Sequence, residues 1–384
     1  MELVLGTQQL IRFGGSETYL TTVAEQLQSL GHEVTVSADE QGESAEYARR
    51  RGVRVTTADH ELPTRCDAVL VQDRACACEL ADRYPGVPHV FVMHSDVSVN
   101  AAPPQLEGVT TAVVALSDRT ERCARALAHR PELVRLTQPI DTERLVPAGP
   151  LHDAPQRVLV ARDGIRGLRP DLLIETWAEI GLECLDSPGL DMARADIVVG
   201  QGRAILEAMA RGRAVYVLGP DGCDGWVNAE RYPGLEADGF AGRADPRTLD
   251  RERLRGELAA YRAEMGIVNR DLVTMHHGAG DHAQSLVELL GRGASTADAE
   301  SPRLNEMARL VRESWMLESS VASMRGQLEE LGAELARCRQ NLDNAKEIVG
   351  AHTEFVQTRR YRLALALGRP ADWLRGVRRG GSDG

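Results

Sequence analysis

Short apolar runs and amphipathic stretches alternate through the first part of the chain. "ELVLG", "HEVTVSA", "VRVTTA", "CDAVLVQD", "PHVFVMHS" and "TTAVVALS" read as buried strands. Between the first two, "SETYLTTVAEQLQSLG" places Tyr19, Val23, Leu27 and Leu30 on one helical face, and Gly31 stops the helix. "AEYARRRG" and "RTERCARALAH" read as further helices. Strands alternating with helices predict an α/β fold, with a parallel sheet covered on both faces. The proline-rich "VRLTQPIDTERLVPAGPLHDAP" then marks a junction.

A second alternating block follows. It comprises "RVLVA", the helix "RPDLLIETWAEIG", the strands "LECLD" and "ADIVVG", a helix within "GQGRAILEAMARG", and the strand "AVYVLG". Helices near 247–265 and 280–291 are expected to close it. The pattern therefore predicts two α/β domains, 1–148 and 149–292, with a cleft between them. Residues 293–303 form a polar linker.

Beyond the linker the period changes to seven. Leu310, Leu317, Met324, Leu331, Cys338 and Ala345 form one series, and Val321, Leu328, Leu335, Leu342 and Val349 the other. This a/d pattern predicts a coiled coil over 304–356, and with it a homo-oligomer; the alternative is a long amphipathic helix folded onto the body. The tail, 357–384, carries Arg359, Arg360, Arg362, Arg369, Arg375, Arg378 and Arg379 interleaved with Leu363, Trp373 and Leu374. That composition suits a helix lying on an anionic membrane surface, or a solvated tail.

Composition narrows the function. Of 384 residues 43% are hydrophobic, enough for sizeable cores, and the net charge of -12 argues against bulk nucleic-acid binding. Seven cysteines without framework spacing suggest reduced thiols and a cytoplasmic location. The N-terminus has no basic region followed by an apolar one, so no signal peptide is read, and no apolar stretch is long enough to span a bilayer.

The candidate chemistry sits at glycine-rich turns. Gly14 and Gly15 follow the first strand and precede a helix, where backbone amides can approach a phosphate or simply make a tight turn. The turn is not a G-x-G-x-x-G fingerprint, which leaves nicotinamide binding without support. In the second block, Gly202 and Arg203 open the helix that carries Glu207, and Gly222 and Gly225 flank a further glycine-rich segment. "ARDGIRGLRP" offers Arg162 and Arg166, whose planar forks suit phosphate oxygens unless the loop is merely solvated. His94 ends a strand, as a group that orients a hydroxyl or as a capping residue. His276, His277 and His282 lack carboxylates at metal-binding spacing, and no Asp-x-Asp occurs, so no metal and no cofactor are expected.

Several of these segments together resemble the family-four glycosyltransferases. "GGSETYLTTVAEQLQSLGHEVTV" resembles their opening, "VVALSDRTERCARAL" their last N-domain strand and its cap, "RLTQPIDTERLVPAG" their linker, and "ADIVVGQGRAILEAMARGRAVYV" their donor-binding segment. The resemblance covers residues 1 to about 290. It implies a type B glycosyltransferase fold of two Rossmann-like domains facing a cleft, a nucleotide diphosphate sugar as donor, a glycan or lipid-linked acceptor in surface glycan assembly, and retention of anomeric configuration. It further implies that Glu207 binds the donor ribose hydroxyls, that Arg162 and Arg166 neutralise the diphosphate, and that His94 lies at the cleft. Arg203, or the amides around Gly222 and Gly225, are expected to reach the diphosphate or sugar. One departure stands out: the family has a second glutamate eight residues before Glu207, and here that position is Val199. The second block also lacks one strand–helix unit of the family between Trp177 and Asp196. Two other readings fit this layout, a nucleotide-sugar epimerase and a non-catalytic nucleotide-sugar-binding scaffold.

Overall fold

The computed structural model describes the chain apart from residues 58–60, 96–98, 128–129, 162–169, 186–191, 221, 246–248, 294–301, 360 and 364–384. The chain divides into two compact units, Met1–Glu318 and Ser319–Gly384, and the first unit contains two lobes, each built on its own sheet.

The first lobe is built on strands β1 (Glu2–Leu10), β2 (Glu33–Gln41), β3 (Arg54–Thr56), β4 (Ala68–Val71), β5 (His89–Met93), β6 (Ala112–Ala115) and β7 (Glu132–Arg135). They pair in the order β3-β2-β1-β4-β5-β6-β7, all parallel. Side chains alternate across the sheet. Leu3 and Leu5 join the core beneath α1 (Gly15–Ser29) and α2 (Glu43–Arg50), while Val4 joins the core beneath α3 (Arg74–Arg83) and α4 (Asp118–Arg125). Gly31, with φ of 85°, lets the chain leave α1 in the left-handed conformation.

The second lobe holds β8 (Arg157–Val160), β9 (Glu183–Leu185), β10 (Ile197–Gly200), β11 (Ala214–Leu218) and β12 (Cys223–Trp226), ordered β12-β11-β10-β8-β9. Only β12 among them runs antiparallel. One face packs α6 (Gly202–Ala210), α7 (Tyr232–Ala237) and Val273 of α9 (Met265–His276); the other packs α5 (Asp171–Ala178) and α8 (Arg251–Ala259).

The helix expected to close the second block does not. The residues Ala283, Leu286, Leu289 and Leu290 of α10 (Ala279–Leu290) complete the first lobe's core beside α1. The chain therefore crosses between lobes twice, and the crossings lie side by side: Ile140 N–H donates to the His277 carbonyl at 2.8 Å, and Ile140 pairs with Gly278.

A helix, α11 (Pro302–Gln357), covers the predicted heptads. Its first turns are not part of the heptad stripe. Leu304, Ala308 and Val311 are buried; Leu304 and Ala308 pack with Cys78, Ala81 and Val109 of the first lobe. Arg312 ion-pairs with Asp39 and Glu79, each at 2.6 Å. From Leu317 onward the heptad positions Val321, Met324, Leu328, Leu331 and Leu335 are exposed. No helix among the described residues is long and apolar enough to cross a membrane.

Candidate functional site

In each sheet the strand order reverses direction, at β1/β4 and at β8/β10, and ligands of open α/β sheets bind in the crevice beyond such points. A cavity of about 640 Å³ lies there. Its lining comes from the carboxyl ends of both sheets: Gly14 and Gly15 after β1, His94 after β5, Ser117 after β6, Ala161 after β8, and Gln201 to Ala204 after β10.

Three helices begin at this cavity, and they differ in one respect. The start of α4 is closed by its own sequence: Ser117 Oγ accepts from the Thr120 amide, and Thr120 Oγ1 accepts from the Ser117 amide. The starts of α1 and α6 have Gly14 and Gln201 as N-caps, with no side-chain cap bond. Apart from the Gly202 amide, these first-turn amides meet no protein acceptor among the described residues, and the helix dipole favours an anion there. The two starts are close neighbours across the lobes, since a Cβ on Gly15 would stand 4.0 Å from Arg203 Cβ. Glycine suits both turns: Gly202 has φ of 55°, and its amide donates to the Phe240 carbonyl at 2.9 Å. Phe240 itself has φ of 56°, an unusual conformation for a bulky residue, on the loop that walls the cavity.

Glu207 lies one turn into α6 and lines the cavity. Arg203 lines it too, but its guanidinium is turned to the protein. Its Nε donates to Glu207 Oε1 at 2.8 Å, and its terminal nitrogens donate to the Pro139 carbonyl at 2.7 Å and to Thr22 Oγ1 at 2.9 Å. With its side chain only 5% exposed, Arg203 ties α6 to α1 and the crossing segment. The guanidinium expected to reach the diphosphate or sugar is thus committed to protein acceptors in this structure. Gly222 and Gly225 are also not brought to the cavity: a Cβ on Gly222 would strike the Gly242 carbonyl, and Gly225 lies against Glu257 and Arg231. Arg162 and Arg166 fall outside the described residues, directly after Ala161.

Val199 is fully buried in β10, in the core with Trp177 and Leu254. The site where a second glutamate was sought therefore faces a hydrophobic layer, not the cavity.

The histidines seal the crossing segments. His282 Nδ1 donates to the Thr137 carbonyl at 3.0 Å, so its Nε2 accepts from Tyr19 O–H at 2.8 Å. His277 Nδ1 donates to the Gln138 carbonyl at 2.7 Å and its Nε2 accepts from Tyr232 O–H at 2.8 Å. Each lobe thus supplies one tyrosine. Burial pushes the pKa of His282 down to about 3 and of His277 to about 4, which keeps both rings neutral as this pattern requires. Arg135 of the first lobe also binds Glu236 of the second at 2.6 Å, and Arg119 lies 3.8 Å from Asp238. Among the described residues, the cluster with metal-ligand geometry is Asp39, Cys76 and Glu79, away from the cavity, and Arg312 already pairs with both acids.

His94 lines the cavity, as expected, and donates from Nε2 to Gln72 Oε1 at 3.0 Å. Burial, with Arg203 and His282 nearby, pushes its pKa down to about 3. Such a ring is neutral and is a hydrogen-bond partner rather than a proton donor. Residues that the sequence did not single out also line the cavity: Phe13, Arg119, Gln138, Gln201, Glu236, Asp238 and Arg243. Only position relative to strand ends could have found them, because their residue types are ordinary for loops.

No protein-family model matches the sequence, and no curated protein is significantly similar to it. Solved structures do resemble the fold. One is Anabaena HepE in complex with UDP and glucose, at 13% identity and a TM-score of 0.52, covering 76% of this chain and 100% of that one. Another is Anabaena HepE in complex with UDP-glucose, also at 13% identity and a TM-score of 0.52, covering 76% and 99%. The fold is the two-lobed type B glycosyltransferase fold.

Proposed function

We propose that the chain transfers a glycosyl group from a nucleotide diphosphate sugar to an acceptor hydroxyl. The observation that carries this reading is the convergence of two helix starts without side-chain caps, one from each lobe, on one cavity. Such amides stabilise the charge that grows on a departing diphosphate as the glycosidic bond breaks. Glu207 fits a vicinal diol, because a carboxylate accepts two hydrogen bonds, and a ribose presents such a diol. Arg162 and Arg166 remain candidates for the outer phosphate oxygens, since Ala161 before them lines the cavity. In this reading the reaction uses no metal. UDP is the first nucleotide to try, because HepE is held with UDP and with UDP-glucose.

The acceptor is a glycan or a lipid-linked sugar. The exposed heptads of α11 join copies of the chain, and the arginine-rich tail draws them to an anionic membrane face. The deciding experiment is calorimetric titration with UDP and turnover of UDP-glucose with and without added sugar acceptors. Transfer or hydrolysis supports the reading. Epimerised nucleotide sugar would replace it with the isomerase reading. Tight UDP binding without turnover would favour a non-catalytic scaffold.

A further inference from the structure

Behind His94 lies a buried chain of hydrogen bonds whose direction is set at its far end. Gln72 follows β4 and His94 follows β5, so adjacent parallel strands deliver both to the same edge. Gln72 Nε2 donates to Thr7 Oγ1 at 2.9 Å, and Thr7 Oγ1 donates to Asp73 Oδ2 at 2.9 Å. Asp73 Oδ2 also accepts the Gln8 amide at 2.7 Å, and Asn100 Nδ2 approaches Oδ1 at 3.4 Å. Gln72, Thr7, Gln8 and Asn100 are all buried.

A hydroxyl has one hydrogen, and a carboxylate has none to give. The Thr7 hydrogen therefore points at Asp73, and the Thr7 oxygen must accept from the Gln72 amide nitrogen. That leaves the Gln72 oxygen facing His94. Turning the amide over would draw the Thr7 hydrogen toward Gln72 and leave two oxygens 2.9 Å apart, Thr7 Oγ1 and Asp73 Oδ2, with no proton between them. Burial raises the Asp73 pKa only to about 6, so the carboxylate is ionised in mildly alkaline solution. An amide oxygen only accepts, so His94 Nε2 carries the hydrogen and Nδ1 is bare. Among the described residues no group hydrogen-bonds to Nδ1, and the ring lines the cavity. Tyr19, edge-on at 4.7 Å, holds the ring plane.

We propose that Gln72 is a positioning residue that keeps His94 in its Nε2–H tautomer, so that the Nδ1 lone pair accepts a hydroxyl of the sugar or the acceptor. The identity of that hydroxyl rests on the glycosyl-transfer reading; the tautomer does not.

The test uses the full-length chain with ¹⁵N-labelled imidazoles at pH 8, with His94→Asn to assign the signal. The parent should show a bare Nδ1 and a protonated Nε2 at His94. Gln72→Met should mix the tautomers, leave UDP affinity within about twofold, and lower kcat for UDP-glucose about tenfold, the worth of one well-placed hydrogen bond. Thr7→Val, which removes the hydroxyl that orients the Gln72 amide, should also mix the tautomers, although it does not touch His94. A bare Nε2 or a cationic ring in the parent overturns the proposal, as does a Gln72→Met chain with unchanged tautomer and unchanged kcat. If the parent turns over no nucleotide sugar, glycosyl transfer falls, while the nitrogen signals still decide what Gln72 does.

Discussion

Replacing Glu207 by Gln separates its two duties, holding Arg203 and facing a ligand. The amide keeps an oxygen for Arg203 Nε but loses the charge. Arg203 is 5% exposed, and its remaining partners, the Pro139 carbonyl and the Thr22 hydroxyl, are neutral. A charge-assisted hydrogen bond contributes about 1.5–3 kcal/mol, and breaking a fully buried ion pair costs about 3–5 kcal/mol. Glu207 is 25% exposed, so water relieves part of the loss, and about 2 kcal/mol is the reasoned value. With a urea dependence of about 3 kcal/mol per molar, the unfolding midpoint should fall by about 0.7 M. Adding Arg203→Met should cost less than the sum of the single changes, by about 1–2 kcal/mol, because the pair is lost only once. UDP affinity, measured by calorimetry, should weaken about tenfold to a hundredfold if the carboxylate holds the ribose. An unmoved midpoint with additive single changes would refute the bridge. Unchanged UDP affinity would return Glu207 to a purely structural role.

Three further outcomes are expected. Val199→Glu places a carboxylate in the core against Trp177 and should abolish soluble expression rather than create a sugar contact; a folded variant with ordinary stability would contradict the packing. Deleting residues 319–384 should convert an oligomer to a monomer by light scattering while sparing Leu304, Ala308 and Arg312, and a monomeric parent at micromolar concentration would rule out pairing through the heptads. His94, His277 and His282 bind protons less readily when folded, at about 3, 4 and 3, than in the unfolded chain at about 6.5. The unfolded chain therefore gains protons first as pH falls below about 6.5, and stability should drop by up to about 1.4 kcal/mol per pH unit per ring; a urea midpoint that stays flat from pH 7.5 to 5 would count against neutral rings.

The alternation of strands and helices was readable because buried parallel strands are nearly continuous apolar runs, as in "AVLV" at Ala68 and "IVVG" at Ile197. Elements without that signature escaped. The helix at Arg74 is half Ala and Cys, set among charged residues, and β12, "CDGW", holds two poor strand formers on a sheet edge. The site was half legible. Gly14, Gly15, His94, Gly202 and Glu207 do line one cavity, since residues at strand ends and helix starts are positioned by local geometry. The fate of Arg203 was not legible, because its partners Thr22 and Pro139 lie far away in sequence. The same holds for α10, whose apolar stripe fits either lobe until the packing decides it.

That placement of α10 sets an order of events during synthesis. Tyr19, Leu20, Val23 and Leu27 emerge early, but Ala283, Leu286 and Leu289, which help to cover their core, are made only after the entire second sheet. The second lobe is thus an insertion within the first, able to collapse on the ribosome while its host waits with an uncovered apolar face. Such a face, long-lived on a nascent chain, is what chaperones recognise. A gene cut after residue 148 would not yield two self-sufficient halves, since the upstream fragment would lack its last core helix.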